Sequence, residues 1–350
     1  MPLSVQTAVC CTRAALITLG AAAFLVLGPA APASSQSTIR LAHVNPALPF
    51  ENPNQAMAVV FKSVLETETQ GQIKAQLFPS GQLGKERELL ESVKIGTIQA
   101  VILAEGSTVN FFQPLEVLGI PYVFPDLQTA WKVFDGPFGQ ELKEAFRRQT
   151  GIRILGSTAP GGFRHFASSK PLKGISDLKG KRIRTMDHPL HQAAVTALGA
   201  SPTPIPFAEL YTSIKSGVAD GLELPFGAIL NSKLDEVVKF IIADGHVLNQ
   251  ELLMVNDRWY SGLSAEHKKA VDKAAADSQA ASRGVTLITE AVGPDELRAK
   301  GVQIYFPTAA ERVEFRKTAQ PPTLEILRKR IDPKWVEGIL KAVAEVEAAK

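Results

Sequence analysis

Two groups of residues have the types and spacing to do chemistry. His188 and His191 stand three apart, which puts both imidazoles on one face of a helix. A metal ion there needs a third ligand, and Asp187 is the only near one. The alternative is a pair of cleft or surface histidines without metal. In Lys181–Thr185 (KRIRT), a period of two places Arg182 and Arg184 on one face of a strand, opposite Ile183. They form either a basic, solvated strand edge that also resists aggregation, or arginines aimed into a cleft. In a cleft, the planar fork of guanidinium matches a carboxylate bidentately.

The sequence motifs of other chemistries are missing. No G-x-G-x-x-G follows the first strand, so dinucleotide binding has no support. Gly174 to Lys181 has the wrong glycine spacing for a phosphate loop, and Arg182 stands where a magnesium-binding Ser or Thr belongs. Neither a G-x-S-x-G elbow nor an H-E-x-x-H helix is present. The remaining histidines, 43, 165, 246 and 267, are scattered. The sequence calls for no cofactor and no resident metal.

Composition narrows the class. The 350 residues carry a net charge of +3, with 45% hydrophobic and 21% charged residues, which are globular proportions. So small a net charge over this length is no nucleic-acid footprint. Mean hydropathy of +0.04 excludes a polytopic membrane protein. Arg13 is the only charged side chain before Arg40; an apolar run from Ala14 to Ala30 follows it, then Ala31-Pro32-Ala33. This is the pattern of a secretory signal peptide over residues 1–33. It leaves a periplasmic protein without cysteine, since Cys10 and Cys11 depart with the leader.

Strand and helix patterns alternate through the remainder, predicting an α/β architecture in two domains of ~150 residues joined across a hinge and cleft. Strands are expected at Thr38–Val44, Gln72–Phe78, Ala100–Leu103, Ile152–Gly156, Lys181–Thr185, Asp220–Leu224, Val237–Ile242 and Glu251–Val255. Helices are expected over Pro53–Glu68, Glu86–Val93, Leu127–Gln149, Pro189–Leu198 and Leu210–Lys215. Three more follow near 265–290, 308–329 and 333–348.

The segments LFPSGQLGKERELLESVKIGTIQA (77–100), GIPYVF (119–124), GGFRHFASSK (161–170), DLKGKRIRTM (177–186) and LGASPTPIPFAELYTSIKSGVADGLE (198–223) add a specific signal. In order and spacing they resemble the solute-binding subunits of tripartite ATP-independent periplasmic (TRAP) transporters, of the C4-dicarboxylate-binding type. The resemblance covers nearly all of the chain beyond the leader. It implies a two-lobed periplasmic binding protein fold with a hinge cleft and a long helix spanning both lobes. Lobe 1 would take 34–160 and about 250–290; lobe 2 would take 161–249 and about 291–350. The implied activity is non-catalytic capture of a small carboxylate for TRAP permease membrane subunits.

By the same resemblance, Arg184 in the K-x-R-T strand pairs with the ligand carboxylate, and Arg164 in G-F-R-H supports it. Phe207 lines the pocket. Glu105 matches an acidic residue near the site in some members, and His43 ends the first strand where a loop enters the cleft. Met186 and Asp187, just past the strand, reach toward the ligand. Many members read D-G-Q-E-N-P where this chain reads D-G-L-E-L-P, so Leu224 replaces an amide. An isobutyl group there favours an apolar or aromatic monocarboxylate, or a 2-oxo or 2-hydroxy acid, over a sugar acid. Competing readings are a C4-dicarboxylate binder, a ligand-sensing module and an exported carboxylate-processing enzyme.

Overall fold

The structure, a computed structural model, describes residues 37–350; the expected leader lies outside the described residues. The first lobe begins with β1 (Ser37–His43), α1 (Pro53–Glu68), β2 (Ile73–Phe78), α2 (Glu86–Ile95) and β3 (Ala100–Ala104). After α3 (Leu127–Asp135) and α4 (Pro137–Thr150), β4 (Ile152–Thr158) completes this stretch. The chain then crosses to a second sheet through β5 (Phe163–Ser168), β6 (Arg182–Thr185), α5 (Pro189–Ala197) and β7 (Ser201–Pro204). It continues with α6 (Leu210–Lys215), β8 (Gly221–Leu224), α7 (Phe226–Asn231) and β9 (Phe240–Leu248). β10 (Glu251–Asn256) returns to the first sheet and is followed by α8 (Asp257–Ser261) and α9 (Ala265–Ala299). The described chain ends with β11 (Gln303–Tyr305), α10 (Ala309–Arg330) and α11 (Pro333–Ala348).

The two mixed sheets have strand orders β2-β1-β3-β10-β4 and β11-β9-β5-β8-β6-β7. Separate apolar cores flank each sheet. The 35-residue α9 packs on α1 and β4 of the first lobe and on α7 and β11 of the second. Among the described residues no helix is long and apolar enough to cross a membrane.

Three differences from the sequence reading have local causes. The single helix expected over Leu127–Gln149 is two. Gly136 leaves helical geometry with ψ −172° between α3 and α4, and Pro137, lacking an N–H, starts α4 afresh. The strand expected to end at Ile242 runs to Leu248, because Asp244 and His246 break the apolar pattern yet are buried in an ionic network. Residues 291–350 were expected in the second lobe, but α11 packs on α3 and α4 of the first. There Trp335 meets the ring edges of Phe112 and Phe138.

Two of the crossings between lobes, residues 159–162 and 249–250, are bonded to each other. The Asn249 N–H donates to the Gly162 carbonyl at 3.0 Å, and its Nδ2 donates to the Pro160 carbonyl at 3.1 Å. Gly161 and Gly162 have φ of +73° and +77°, which favours glycine. The glycine of D-G-L-E-L-P has a different reason. At Gly221, between β5 and β6, a Cβ would lie 2.3 Å from the Ala167 carbonyl oxygen. Gly221→Ala should therefore destabilise the protein by roughly 1–3 kcal/mol, read as a lower urea midpoint at unchanged slope; an unshifted midpoint would contradict that crowding.

Candidate functional site

β6 carries the two arginines to different environments. Arg182, at the exposed rim, is held by Asp220, Nε to Oδ2 at 3.1 Å. Ile183 enters the core. Arg184, 2% exposed, sits between β7 and β8, and its Nε donates to the Ile205 carbonyl at 2.8 Å. Among the described residues no carboxylate lies within 4.0 Å of its guanidinium. Burial, with help from Arg164, pushes Arg184 down to about 10. It stays cationic at neutral pH and faces a cavity.

That cavity has about 560 Å³ of space between its lining atoms, the open solvent at its mouth included. Its apolar lining is made by Val44, Pro53, Pro160, Met186, Phe207 and Leu224. Its polar lining includes Asn45, Ser107, Asn231, Asn249 and Glu251. Asn52 also reaches it, but its Oδ1 caps α1 by accepting from Asn54 N–H at 3.0 Å. Contacts across the mouth hold the lobes together. Glu86 Oε1 accepts from Phe207 N–H at 3.2 Å, Lys85 pairs with Glu209 at 2.6 Å, and Asn231 donates to the Glu51 carbonyl at 2.7 Å.

Arg164 also lines the cavity, yet its fork is occupied. Nε and Nη2 grip Glu223, Nη2 also donates to the Glu223 carbonyl at 2.6 Å, and Nη1 donates to Asn249 Oδ1. Burial would raise the Glu223 carboxyl, but the Arg164 charge, with His191 and His246, holds it well below the usual range. Burial would likewise lower His246; Asp244, 2.9 Å away, and Glu223 reverse this and raise it to about 9. Arg164 is thus balanced by Glu223 and His246 by Asp244. Arg184 is the cation left for a ligand.

Three expected residues lie outside the cavity lining. His43 is fully buried, bonded through Nε2 to Gln55 Oε1 at 2.7 Å and pushed down to about 4 by burial. Its neighbours Val44 and Asn45 line the cavity instead. Asp187 is exposed at the outer mouth, where it accepts from Asn110 Nδ2 at 3.2 Å. Glu105 is buried behind the cavity, 4.0 Å from His188 Nε2 and 3.8 Å from His191 Nε2.

Glu105, not Asp187, is therefore the carboxylate beside the histidine pair, and the three together could hold a metal ion. The donor chemistry does not suit one. His188 Nδ1 accepts the Leu190 N–H at 3.1 Å, so the neutral ring carries its proton on Nε2, the atom a metal would need. The two rings are also stacked, 4.2 Å apart and 14° from parallel, so one ion cannot lie in both ring planes.

The sequence reading did not single out Asn45, Ser107, Asn249 or Glu251. Asn249 and Glu251 lie at the β9–β10 crossing, which leaves no periodic signal.

A family model described as bacterial extracellular solute-binding protein, family 7, matches residues 43–330. The chain belongs to this family. It is a TRAP-type solute-binding protein. A solute-binding protein of Verminephrobacter eiseniae is 35% identical over 78% of this chain and 81% of its own length. A TRAP periplasmic solute binding protein from Polaromonas sp. JS666, bound to D-erythronate, is 33% identical with a TM-score of 0.81, covering 87% of this chain and 98% of the other. A Bordetella relative with ligand density assigned as pantoate is 31% identical with a TM-score of 0.81, covering 88% and 99%.

Replacing Glu223 by Gln would leave Arg164 buried beside a neutral amide. The expected loss is roughly 3–5 kcal/mol, measured by urea unfolding at pH 7. The Glu223 carboxyl is held low in the folded state. Its contribution is therefore full above the unfolded carboxylate range near 4.5 and fades as pH falls toward the depressed value. The gap between wild type and Glu223→Gln should narrow on acidification; a gap that widens would contradict the ion-pair assignment.

Proposed function

We propose that this protein captures a short monocarboxylic acid bearing a 2-hydroxyl or 2-oxo group in the periplasm and presents it, unreacted, to the membrane subunits of a TRAP transporter. The observation that carries this reading is Arg184, a buried guanidinium with no carboxylate partner, facing the cavity. Burying a charge without a partner is costly, and an incoming carboxylate repays it with two charge-assisted hydrogen bonds. The mixed lining supports a mixed ligand body. Met186, Phe207 and Leu224 suit an apolar branch, while Asn45, Ser107 and Asn249 suit hydroxyl or keto oxygens. D-erythronate and pantoate, the ligands named for the two structural relatives, are both short 2-hydroxy monocarboxylates; D-erythronate is also a sugar acid, so it supports the 2-hydroxy head and runs against the disfavour of sugar acids read from Leu224. Binding without chemistry fits the same lining, in which Ser107 is the one hydroxyl and no imidazole, thiol or amine takes part.

Two experiments test this. A thermal-shift panel on residues 34–350 should raise the melting temperature with pantoate, D-erythronate and related 2-hydroxy or 2-oxo acids, and less with C4-dicarboxylates. A shift confined to dicarboxylates would overturn the ligand class. Arg184→Ala, measured by calorimetry against the best of these acids, should weaken binding by more than about 100-fold, since each charge-assisted bond contributes roughly 1.5–3 kcal/mol. Arg184→Lys should fall between, because a point charge cannot reproduce the fork. Unchanged affinity in Arg184→Ala would sink the assignment.

A further inference from the structure

Glu251 is the residue of the cavity whose chemistry the carboxylate reading leaves unused. It begins β10, directly after the crossing from the second lobe, opposite Ala104 of β3 and Thr158 of β4. It is 6% exposed and lines the cavity. Oε2 accepts from two neutral amides, Asn54 Nδ2 and, at 3.4 Å, Asn45 Nδ2. Among the described residues no hydrogen bond reaches Oε1. Among the described residues no Lys, Arg or His lies within 4.0 Å of this carboxyl, in contrast to Glu223.

A carboxylate so placed has lost its water and gained no counter-charge, so the protonated form is favoured. The charged groups facing it do not reverse this. Glu105, on the segment after β3, repels a second negative charge. Arg164, on β5, attracts one but is committed to Glu223. Glu86 and Arg184 face the same cavity from α2 and β6. Burial pushes Glu251 up to about 8, with Glu105 adding to the rise and the Asn54 and Asn45 bonds opposing it.

We infer that the Glu251 carboxyl enters the bound state with its proton, donating from Oε1 to a hydroxyl or keto oxygen of the ligand, so that capture of the anion is coupled to retention of this proton. The step is an acid–base equilibrium only: no bond other than the O–H is made or broken. Without the proton, a second negative charge stands in the cavity that Arg184 has prepared for one carboxylate. The device selects against dianions and makes affinity fall as pH rises. This inference rests on the monocarboxylate reading above and deepens it.

The test separates the two. First, without ligand, the melting temperatures of wild type and Glu251→Gln are followed from pH 5 to pH 9.5. The folded-state value lies above the unfolded one, so the stability Glu251 contributes is full below about 4.5 and is lost as pH rises to about 8. The melting temperature of Glu251→Gln minus that of wild type should climb by several degrees over that window and then level off. A constant difference overturns the proposal whatever the ligand.

Second, D-erythronate and pantoate are titrated into both proteins over the same pH range. Wild-type affinity should fall by up to tenfold per unit above pH 8, and Glu251→Gln should lose that slope. A wild-type affinity that is flat or rises with pH overturns the coupling, a rise pointing to an ionised carboxylate that pairs with a cation. Should neither acid bind either protein, the ligand class fails, and the ligand-free melting series still decides the proton.

Discussion

The structure turns on a buried guanidinium that, among the described residues, has no carboxylate within 4.0 Å. Arg164 and His246 are paired directly, with Glu223 and Asp244, whereas Glu223 and Glu86 act on Arg184 only from farther off. The Arg184 guanidinium is anchored through Nε to the Ile205 carbonyl, and among the described residues its two terminal nitrogens make no hydrogen bond. Burying such a group with no anion beside it leaves its desolvation cost unmet. On the proposed function, carboxylate capture meets that cost. The contacts across the mouth, Lys85 with Glu209 and Glu86 with the Phe207 amide, are exposed or half-buried and weak by themselves.

Much of the surrounding fold keeps that charge in place. β6 is an interior strand, so the Arg184 backbone is bonded on both sides. The close approach of β8 to β5 at Gly221 brings Glu223 to Arg164. Asn249 ties Arg164 to the Pro160 carbonyl, so the Arg164–Glu223 pair and the hinge crossings share one hydrogen-bond network. α9 spans both lobes and gives them a common support. A strand slip of one residue would invert Arg184 with Ile183 and exchange the site for a core side chain.

What could be read from the sequence follows from this geometry. Arg184, Arg164, Phe207, Met186 and Leu224 sit at or beside short elements whose motifs are continuous in the chain, and all of them reach the cavity. Arg182 and Arg184 share a face by period, yet only depth within the sheet separates a rim ion pair from a buried guanidinium without a carboxylate partner, and depth has no signature in five residues. His43 was misplaced because it ends β1 facing inward, toward Gln55. Glu105 was expected at the ligand but lies one layer behind, where it meets a histidine pair from the other lobe. Asn249 and Glu251 were invisible because the crossing that delivers them is a long-range pairing of β10 with β3 and β4.

The central claim is that Arg184 is the carboxylate receptor. The most direct measurement is a crystal structure of the protein grown with the acid giving the largest thermal shift, refined far enough to place the carboxylate. The account predicts two parallel hydrogen bonds from the Arg184 terminal nitrogens to the carboxylate oxygens, with the Arg164–Glu223 pair intact. A ligand whose carboxylate binds elsewhere in the cavity, or that displaces Glu223 to reach Arg164, would contradict it.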